Sequence, residues 1–385
     1  MRIGFDAKRM YQNSTGLGNY SRTLVDALAA LYPDNEYHLY APKITSLFEA
    51  SKYTNVKVHS PEHMLSKMFK AIWRSSWVKQ DLIKDKIDIY HGLSHEIPQG
   101  IQHKQIKSVV TIHDLIFEKY PEQFATIDRL IYRHKFRNAC IHADRIITVS
   151  DQTKQDIIEL YRIPEQKIIT CYQTCNEIFF QPQPDEIKTS VRERYALPDE
   201  YFLYVGSVIE RKNLLRICKA YQLDKEKTCP PLVIIGSGGQ YLKLVKTFIQ
   251  EHQLTDRFIF LSEQEEAGRT INFNYGKDLP AIYQLSKALI YPSIYEGFGI
   301  PLLEAMASGT PVITSNISCL PEVGGAAASY VNPFQEMEIY EAMKALLNDA
   351  QLRKKMIEAG KIQAAVFSKE KCTENVMKVY QSLMP

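Results

Sequence analysis

The sequence predicts an α/β fold built from two Rossmann-like halves. Short apolar strands alternate with amphipathic helices along the chain, which is the pattern of a parallel sheet covered by helices. A strand, a loop and a helix open the chain, and the same succession recurs from residue 201. A length of 385 residues exceeds one ordinary core and favours two domains.

Composition narrows the class of protein. Hydrophobic content of 45% and charged content of 24% are typical of globular proteins, and a net charge of +3 does not suggest nucleic-acid binding. No apolar run reaches the ~18 residues of a membrane span, and the start of the chain is too polar for a signal peptide. The 7 cysteines form an odd set without a Cys-x-x-Cys pair, so we expect reduced thiols and a cytoplasmic protein.

The first half begins with a strand over 1–5. A polar loop containing Gly16-Leu17-Gly18 follows, and then a helix over 20–31. A dinucleotide fingerprint requires a third glycine at the position that Ser21 occupies, so the loop does not match an NAD site. Further strands are predicted at 37–40, 56–58, 87–91, 106–113, 145–149 and 167–171.

Two interpretations remain open for a helix predicted over 63–86. It carries Trp73 and Trp77 among apolar residues and lysines. Such a helix can lie on an anionic membrane surface at the inner face of the membrane. In the other interpretation, which we favour, the aromatic face belongs to the core and the lysines are solvated.

His113 follows the buried strand Ser108–Ile112. Ligands of open α/β sheets bind at the carboxyl ends of the strands, so this histidine is a candidate site residue. Asp114 after it either orients the ring or caps the next turn.

The second half follows a predicted linker at 181–184. Strands are expected at 201–206, 232–235, 258–261, 288–291 and 311–314. Arg211 and Lys212 stand in the loop after the first of these strands, where two cations can neutralise a diphosphate.

The stretch 288–325 contains the most informative pattern. Glu296-Gly297-Phe298-Gly299 follows a strand and precedes a helix that begins near Pro301, so backbone N–H groups converge there and favour an anion. Glu296 and Glu304 flank this point, and a carboxylate can accept two hydrogen bonds from a diol. Phosphate donors beside diol acceptors suit a nucleotide sugar.

Glu296 and Glu304 have the Glu-x7-Glu spacing of the retaining GT-B glycosyltransferases of family 4, which the chain resembles. The Gly-x-Gly segment, His113-Asp114-Leu115 and the run from Gly206 to Asn213 resemble the same family in the same order. The polar connection at 262–277 is longer than the family's, and so base contacts there are in doubt.

The resemblance implies two Rossmann-like domains that face each other across a cleft. The acceptor-side domain would span 1–180 with a C-terminal helix at about 372–385 that crosses back to it, and the nucleotide-sugar domain would span 181–371. The catalytic residues would be His113, Glu296, Arg211 and Lys212. The donor would be bound by Gly16, Gly18, Gly206, Arg211, Lys212, Glu296, Gly297, Phe298, Gly299 and Glu304.

The expected reaction is transfer of a hexose, with retention and without a metal or cofactor, to a glycan or lipid-linked glycan. GDP-mannose is the favoured donor and a UDP-glucose type the next. We expect no nucleic-acid partner, and peripheral contact with the cytoplasmic face of the membrane remains open. The alternatives are a GT-B sugar-nucleotide epimerase and a non-catalytic nucleotide-sugar-binding protein.

Overall fold

A computed structural model describes residues 1–270, 273 and 276–384. The chain forms two compact units, Met1–Thr174 with Phe367–Pro385, and Cys175–Val366. Each unit contains one sheet whose strand pairs are all parallel in the described residues, which confirms the α/β prediction. The division follows Thr174, whereas the sequence-based boundary was set after residue 180. Four residues of the polar connection at 262–277 lie outside the described residues.

The sheet of the first unit has the order β3-β2-β1-β4-β5-β6-β7. Its strands are β1 Arg2–Asp6, β2 Glu36–Tyr40, β3 Val56–His59, β4 Ile89–Gly92, β5 Lys107–Ile112, β6 Arg145–Thr148 and β7 Ile168–Thr170. Every strand predicted in this half is present, because parallel strands buried on both faces give continuous apolar runs.

Helices cover this sheet. They are α1 Lys8–Gln12, α2 Gly16–Leu31, α3 Met64–Met68, α4 Lys70–Ile72, α5 Val78–Lys84, α6 Ile116–Lys119, α7 Thr126–His142 and α8 Asp151–Tyr161. Ser150 caps α8, since its hydroxyl accepts a hydrogen bond from the Thr153 N–H at 3.2 Å.

The prediction of one continuous helix over 63–86 is wrong. Phe69 leaves the helical region at φ −108° and ψ 54°, and a π-helical turn, Trp73–Trp77, precedes α5. Trp73 is buried and donates its indole N–H to Asp81 at 2.7 Å, while Trp77 packs against the core. The two tryptophans therefore belong to the core.

The sheet of the second unit has the order β10-β9-β8-β11-β12-β13. Its strands are β8 Phe202–Val205, β9 Leu232–Ile235, β10 Phe258–Phe260, β11 Ala288–Tyr291, β12 Val312–Ser315 and β13 Ala328–Val331. The sequence did not predict β13, whose alanine-rich beginning lacks a strand pattern.

Helices of the second unit lie in the same alternating order. They are α9 Asp185–Arg194, α10 Leu214–Leu223, α11 Gln240–Glu251, α12 Glu265–Arg269, α13 Leu279–Leu285, α14 Ile300–Ala307, α15 Leu320–Gly324, α16 Glu336–Asn348 and α17 Ala350–Ala364. Gly309 ends α14 with φ +73°, a left-handed conformation that glycine adopts without strain.

The last helix, α18 Lys369–Gln381, belongs to the first unit and packs on α2. Tyr380 contacts His91 of β4, with the phenol oxygen 2.6 Å from Nδ1. The predicted return of the C-terminal helix to the first domain is confirmed. In the described part of the chain, no helix is both long enough and apolar enough to cross a membrane.

Candidate functional site

The strand order of the second sheet creates a site at its carboxyl edge. Chain order reverses between the neighbouring strands β8 and β11, so the loops that leave them diverge to opposite faces and open a crevice. The two loops are joined by the Ile294 N–H, which donates to the Arg211 carbonyl at 2.8 Å. The predicted cations and the first predicted glutamate lie on these two loops.

Gly206 begins the loop after β8 and allows Lys212 to lie against the backbone. Its φ is +144°, and a Cβ there would stand 3.1 Å from Lys212 Cδ. The loop ends at Asn213, whose side-chain amide donates to the carbonyls of Pro292 at 3.0 Å and Pro333 at 2.7 Å. These bonds fix the cations relative to the loop after β11.

Glu296 is the centre of the cluster. Its Oε1 lies 3.0 Å from Arg211 Nη1 and 3.0 Å from Lys212 Nζ, and it accepts a hydrogen bond from the Tyr291 hydroxyl at 2.8 Å. Burial alone would raise the pKa of this carboxyl, but Lys212 and Arg211 beside it lower the pKa to about 2. Glu296 is therefore ionised throughout the neutral range, and the three charged groups together carry one net positive charge.

Hydrogen bonds also fix the backbone at Glu296. Arg211 also donates to the Tyr295 carbonyl, and the backbone N–H of Glu296 donates to the Ser318 hydroxyl at 3.1 Å. The Cys319 thiol lies 3.1 Å from the Glu296 carbonyl. The carboxylate therefore sits on a rigid loop, which is what a positioning group in a site requires.

Gly299 forms the turn into α14. Its φ is +99°, and a Cβ there would lie 2.9 Å from Leu320 Cδ2, so glycine is required for both backbone and space. Phe298 before it is buried and Gly297 is partly exposed. This turn lies at the amino end of α14, with Gly299 as the residue before the helix.

Glu304 lies in α14, half-buried, and accepts a hydrogen bond from the Tyr283 hydroxyl at 3.0 Å. Burial raises its pKa to about 7, against smaller opposing effects of Tyr283 and Lys212. Unlike Glu296, Glu304 exchanges its proton near neutral pH.

Sequence reasoning missed Tyr291 and Tyr283. Tyr291 ends β11, and its hydroxyl lies 2.6 Å from Lys212 Nζ as well as beside Glu296. Both tyrosines look like core residues in the sequence, and both rings are indeed buried. The available signal was the hydroxyl itself, because a buried phenol usually has a hydrogen-bond partner.

The first unit contains His113, at the carboxyl end of β5. The ring is buried, its Nε2 donates to the Leu93 carbonyl at 3.0 Å, and Tyr20 of α2 packs edge-on against it with ring centroids 4.6 Å apart. Burial lowers the pKa of His113 to about 4, so the imidazole is neutral at pH 7. It is suited to hydrogen bonding rather than to donating a proton as an imidazolium. His95 beside it has φ +65° and stacks on Phe136 at 4.3 Å.

The expected loop around Gly16 and Gly18 is wrong, because both residues belong to the first turn of α2. A Cβ on Gly18 would lie 1.8 Å from the Asn13 carbonyl oxygen, so the close turn before the helix requires glycine there. Gly16 is exposed, and a Cβ there would meet no atom within 4 Å. Packing thus explains why glycine is required at position 18, but it gives no reason for glycine at position 16.

The structure brings together the second-unit residues Gly206, Arg211, Lys212, Glu296, Gly297, Phe298, Gly299 and Glu304 on the loops after β8 and β11 and on α14. The first unit places His113 beside α2, which begins at Gly16 and includes Gly18.

Within the part of the chain that the structure describes, one group of side chains has the composition of a metal site. His38, His59 and Asp85 each place a donor atom within 4.8 Å of the others. However, His38 Nδ1 and His59 Nε2 face each other at 3.0 Å in rings inclined by only 7°. That geometry fits one shared hydrogen bond rather than two lone pairs converging on an ion.

Known proteins resemble the chain along most of its length. Residues 14–173 match the family "Glycosyltransferase Family 4", and residues 187–363 match "Glycosyl transferases group 1". The O-antigen chain mannosyltransferase B of Escherichia coli is 29% identical over 400 residues, with 100% of each chain covered. The O-antigen chain mannosyltransferase RfbU of Salmonella typhimurium is 31% identical over 61% of this chain and 59% of its own length.

Solved structures support the fold. Anabaena Alr3699/HepE in complex with UDP superposes with a TM-score of 0.75 at 15% identity, covering 99% of this chain and 100% of its own. WaaG, a glycosyltransferase involved in lipopolysaccharide biosynthesis, gives a TM-score of 0.70 at 15% identity, covering 98% and 99%. Two matching domain families in the expected order, one mannosyltransferase relative along the whole chain and this fold lead to one conclusion: the chain has the GT-B fold and consists of a family 4 glycosyltransferase domain followed by a group 1 glycosyl transferase domain.

Proposed function

We propose that this glycosyltransferase moves mannose from GDP-mannose to a growing glycan, with retention and without a metal ion. The observation that carries the proposal is the cluster of Arg211, Lys212 and Glu296 at the strand-order reversal. Two fixed cations stand where a diphosphate leaving group would develop charge, and preorganised charges of this kind stabilise a transition state. In other transferases, a bound metal ion stabilises this charge.

The remaining residues take separate roles in the proposal. Glu304 would accept hydrogen bonds from the ribose diol, and the turn Gly297–Gly299 would bind the sugar and phosphate through backbone N–H groups. Glu296 holds the cations in place and would also bind a sugar hydroxyl. We keep His113 as a hydrogen-bonding partner of the donor sugar, since the neutral imidazole cannot act as an acid at pH 7.

The choice of mannose is supported by the two O-antigen chain mannosyltransferases that the chain resembles. A UDP-glucose type is the competing donor. For the acceptor we propose a lipid-linked glycan met at the inner face of the membrane, since O-antigen chains are what both relatives are named for.

The decisive experiment has two steps. Thermal shifts are measured with GDP-mannose and UDP-glucose, because a ligand at 100 times its Kd stabilises by about 2.7 kcal/mol. Release of GDP is then followed with and without a glycan acceptor. Acceptor-dependent release supports a transferase, release or isomerisation without acceptor supports an epimerase, and binding without turnover supports a binding protein.

A matched pair of variants tests the site. Lys212→Met should lower kcat/KM by at least about 100-fold, as removal of one preorganised donor does. Lys227→Met, which breaks the exposed pair with Asp256, should leave activity unchanged. Equal activities of the two variants would contradict the proposed role of the cluster. Retention is tested separately by the anomeric configuration of the product.

A further inference from the structure

Tyr291 has a hydroxyl that none of the roles given above uses. It is the last residue of β11, and its side chain is fully buried. A buried ring at a strand end serves packing, and phenylalanine would pack there equally well. The hydroxyl must therefore be explained by the groups that it contacts.

The hydroxyl of Tyr291 closes a triangle with two charged groups. Its oxygen lies 2.6 Å from Lys212 Nζ and 2.8 Å from Glu296 Oε1, and these two atoms lie 3.0 Å apart. Because an ammonium only donates and a carboxylate only accepts, the phenol accepts from Lys212 and donates to Glu296. Burial and the carboxylate of Glu296 raise the pKa of Tyr291 well above its ordinary value, so the phenol keeps its proton at neutral pH.

The triangle fixes the orientation of the Lys212 ammonium. An ammonium carries three N–H donors on a rotatable stem. Glu296 and Tyr291 take two of these donors, which stops the rotation of the group. The third donor has no hydrogen-bond partner among the described residues and is available to a ligand. Without the hydroxyl, one hydrogen bond would remain and the ammonium would turn about it.

The stem of Lys212 is held as well. Its Nζ lies 4.8 Å from the centroid of the Tyr291 ring, a cation–π contact. The backbone at Gly206 is also close, since a Cβ there would stand 3.1 Å from Lys212 Cδ and 3.3 Å from Nζ. Phenylalanine at position 291 would keep the ring contact and lose the hydroxyl, so this substitution isolates the hydrogen bonds.

Glu296 is oriented by the same contacts. Arg211 Nη1, Lys212 Nζ and the Tyr291 hydroxyl all reach one oxygen, Oε1, at 3.0, 3.0 and 2.8 Å. In the described part of the chain, no hydrogen bond reaches the other oxygen, Oε2. The three donors thus determine which oxygen neutralises the cations and leave Oε2 to accept a hydroxyl of the ligand.

The sheet holds Tyr291 itself in place. Tyr291 pairs with Thr314 of the neighbouring strand β12, and its carbonyl also accepts a hydrogen bond from the Thr314 hydroxyl at 2.9 Å. Lys212, in contrast, ends a short 3₁₀ turn, Glu210–Lys212, in the loop after β8. A group on a strand is positioned more precisely than one on a loop, so the tyrosine supplies the fixed point of the triangle.

We propose that Tyr291 is a positioning residue of the transfer reaction. Its hydroxyl holds the Lys212 ammonium in the orientation that presents the third N–H to the leaving diphosphate. Preorganisation of this kind stabilises charge as it develops and costs no reorganisation during the reaction. The phenol neither gives up nor takes a proton. The inference rests on the proposed function through the role of Lys212, and it depends on no particular sugar or base.

The test is a double-mutant cycle on turnover with a glycan acceptor, using GDP-mannose, or UDP-glucose if the thermal shifts select it. Tyr291→Phe should lower kcat by about tenfold or more, the effect of one hydrogen bond to a charged group, with little change in KM. In the Lys212→Met background, adding Tyr291→Phe should change kcat/KM by less than about twofold, because the group that the hydroxyl positions is already absent.

The matched control is Tyr221→Phe. Tyr221 of α10 is also fully buried, and its hydroxyl donates to the Pro230 carbonyl at 2.8 Å, away from the cluster. This variant should keep the kcat and KM of the unmodified chain. Far-UV circular dichroism and urea unfolding establish that each variant is folded.

Two results would overturn the inference while leaving the proposed function intact. One is an unchanged kcat in Tyr291→Phe when Lys212→Met is impaired. The other is an equal loss from Tyr291→Phe with and without Lys212, which would mean that the hydroxyl acts on the fold and not through the ammonium. Unchanged turnover in Lys212→Met would instead refute the proposed role of the cluster, and the inference with it.

Discussion

Replacing Glu296 with glutamine tests the electrostatics of the candidate site. The substitution keeps the shape of the side chain and removes its charge. Arg211 and Lys212 then lose the carboxylate that lies 3.0 Å from each of them. Arg211 is buried, so an unneutralised cation would remain in a low-dielectric environment.

The magnitude follows from the pKa of Glu296. Its ordinary value of 4.5 falls to about 2 in the folded chain, because the two cations outweigh burial. At 1.36 kcal/mol per pKa unit, the ionised carboxylate contributes about 3 kcal/mol to the free energy of unfolding at pH 7. Since the folded pKa is depressed, this contribution is present above pH ~4.5 and is lost as the pH falls towards 2.

Urea unfolding followed by far-UV circular dichroism measures the effect. Circular dichroism is preferred to tryptophan fluorescence because Trp73 and Trp77 both belong to the first unit. Glu296→Gln should be less stable by about 3 kcal/mol at pH 7, and the difference should shrink by about 2 kcal/mol at pH 3. Glu200→Gln, which breaks an exposed pair with Lys287, should cost less than ~1 kcal/mol.

Two results would refute this reasoning. A difference below ~1 kcal/mol at pH 7 would mean that the buried pairs make no net contribution. A difference of the same size at pH 7 and pH 3 would mean that the loss arises from packing or hydrogen bonding rather than from charge.

Three further predictions follow from single residues. Gly18→Ala should lower the free energy of unfolding by ~1–3 kcal/mol in urea titrations, because its Cβ would overlap the Asn13 carbonyl. Gly16→Ala should be neutral or raise the free energy of unfolding by up to ~1 kcal/mol, because its Cβ would meet no atom. Equal effects of the two substitutions would contradict this difference in packing. If the ionised Glu304 binds the ribose, GDP affinity measured by calorimetry should fall about tenfold from pH 8 to pH 6, because the pKa of Glu304 is about 7. The Glu304→Gln variant should show no such dependence on pH. The free energy of unfolding should decline from pH 6.5 towards pH 4, because His113 is protonated at a higher pH in the unfolded chain than in the folded chain. In urea titrations, His113→Gln should make this decline with pH less steep. An unchanged decline in the variant would rule out His113 as its source.

Much of the fold could be predicted from the sequence because its signals are local. The twelve predicted strands are all present, since a buried parallel strand shows itself as a short apolar run. The helix over 63–86 was predicted as continuous because periodicity does not reveal a break at Phe69 or a π-helical turn. β13 carries too little apolar pattern for the same method to detect it.

By itself, the sequence determined the alternation of strands and helices, the glycines at turns and the spacing of Glu296 and Glu304 along the chain. These features depend on periods of a few residues. Only the tertiary structure decided that Glu296 neutralises Lys212, 84 residues earlier, because that contact depends on the sheet order that places β8 beside β11. It also decided that the tryptophans enter the core while Met64 and Met68 stay outside, because packing selects which side of a helix is buried.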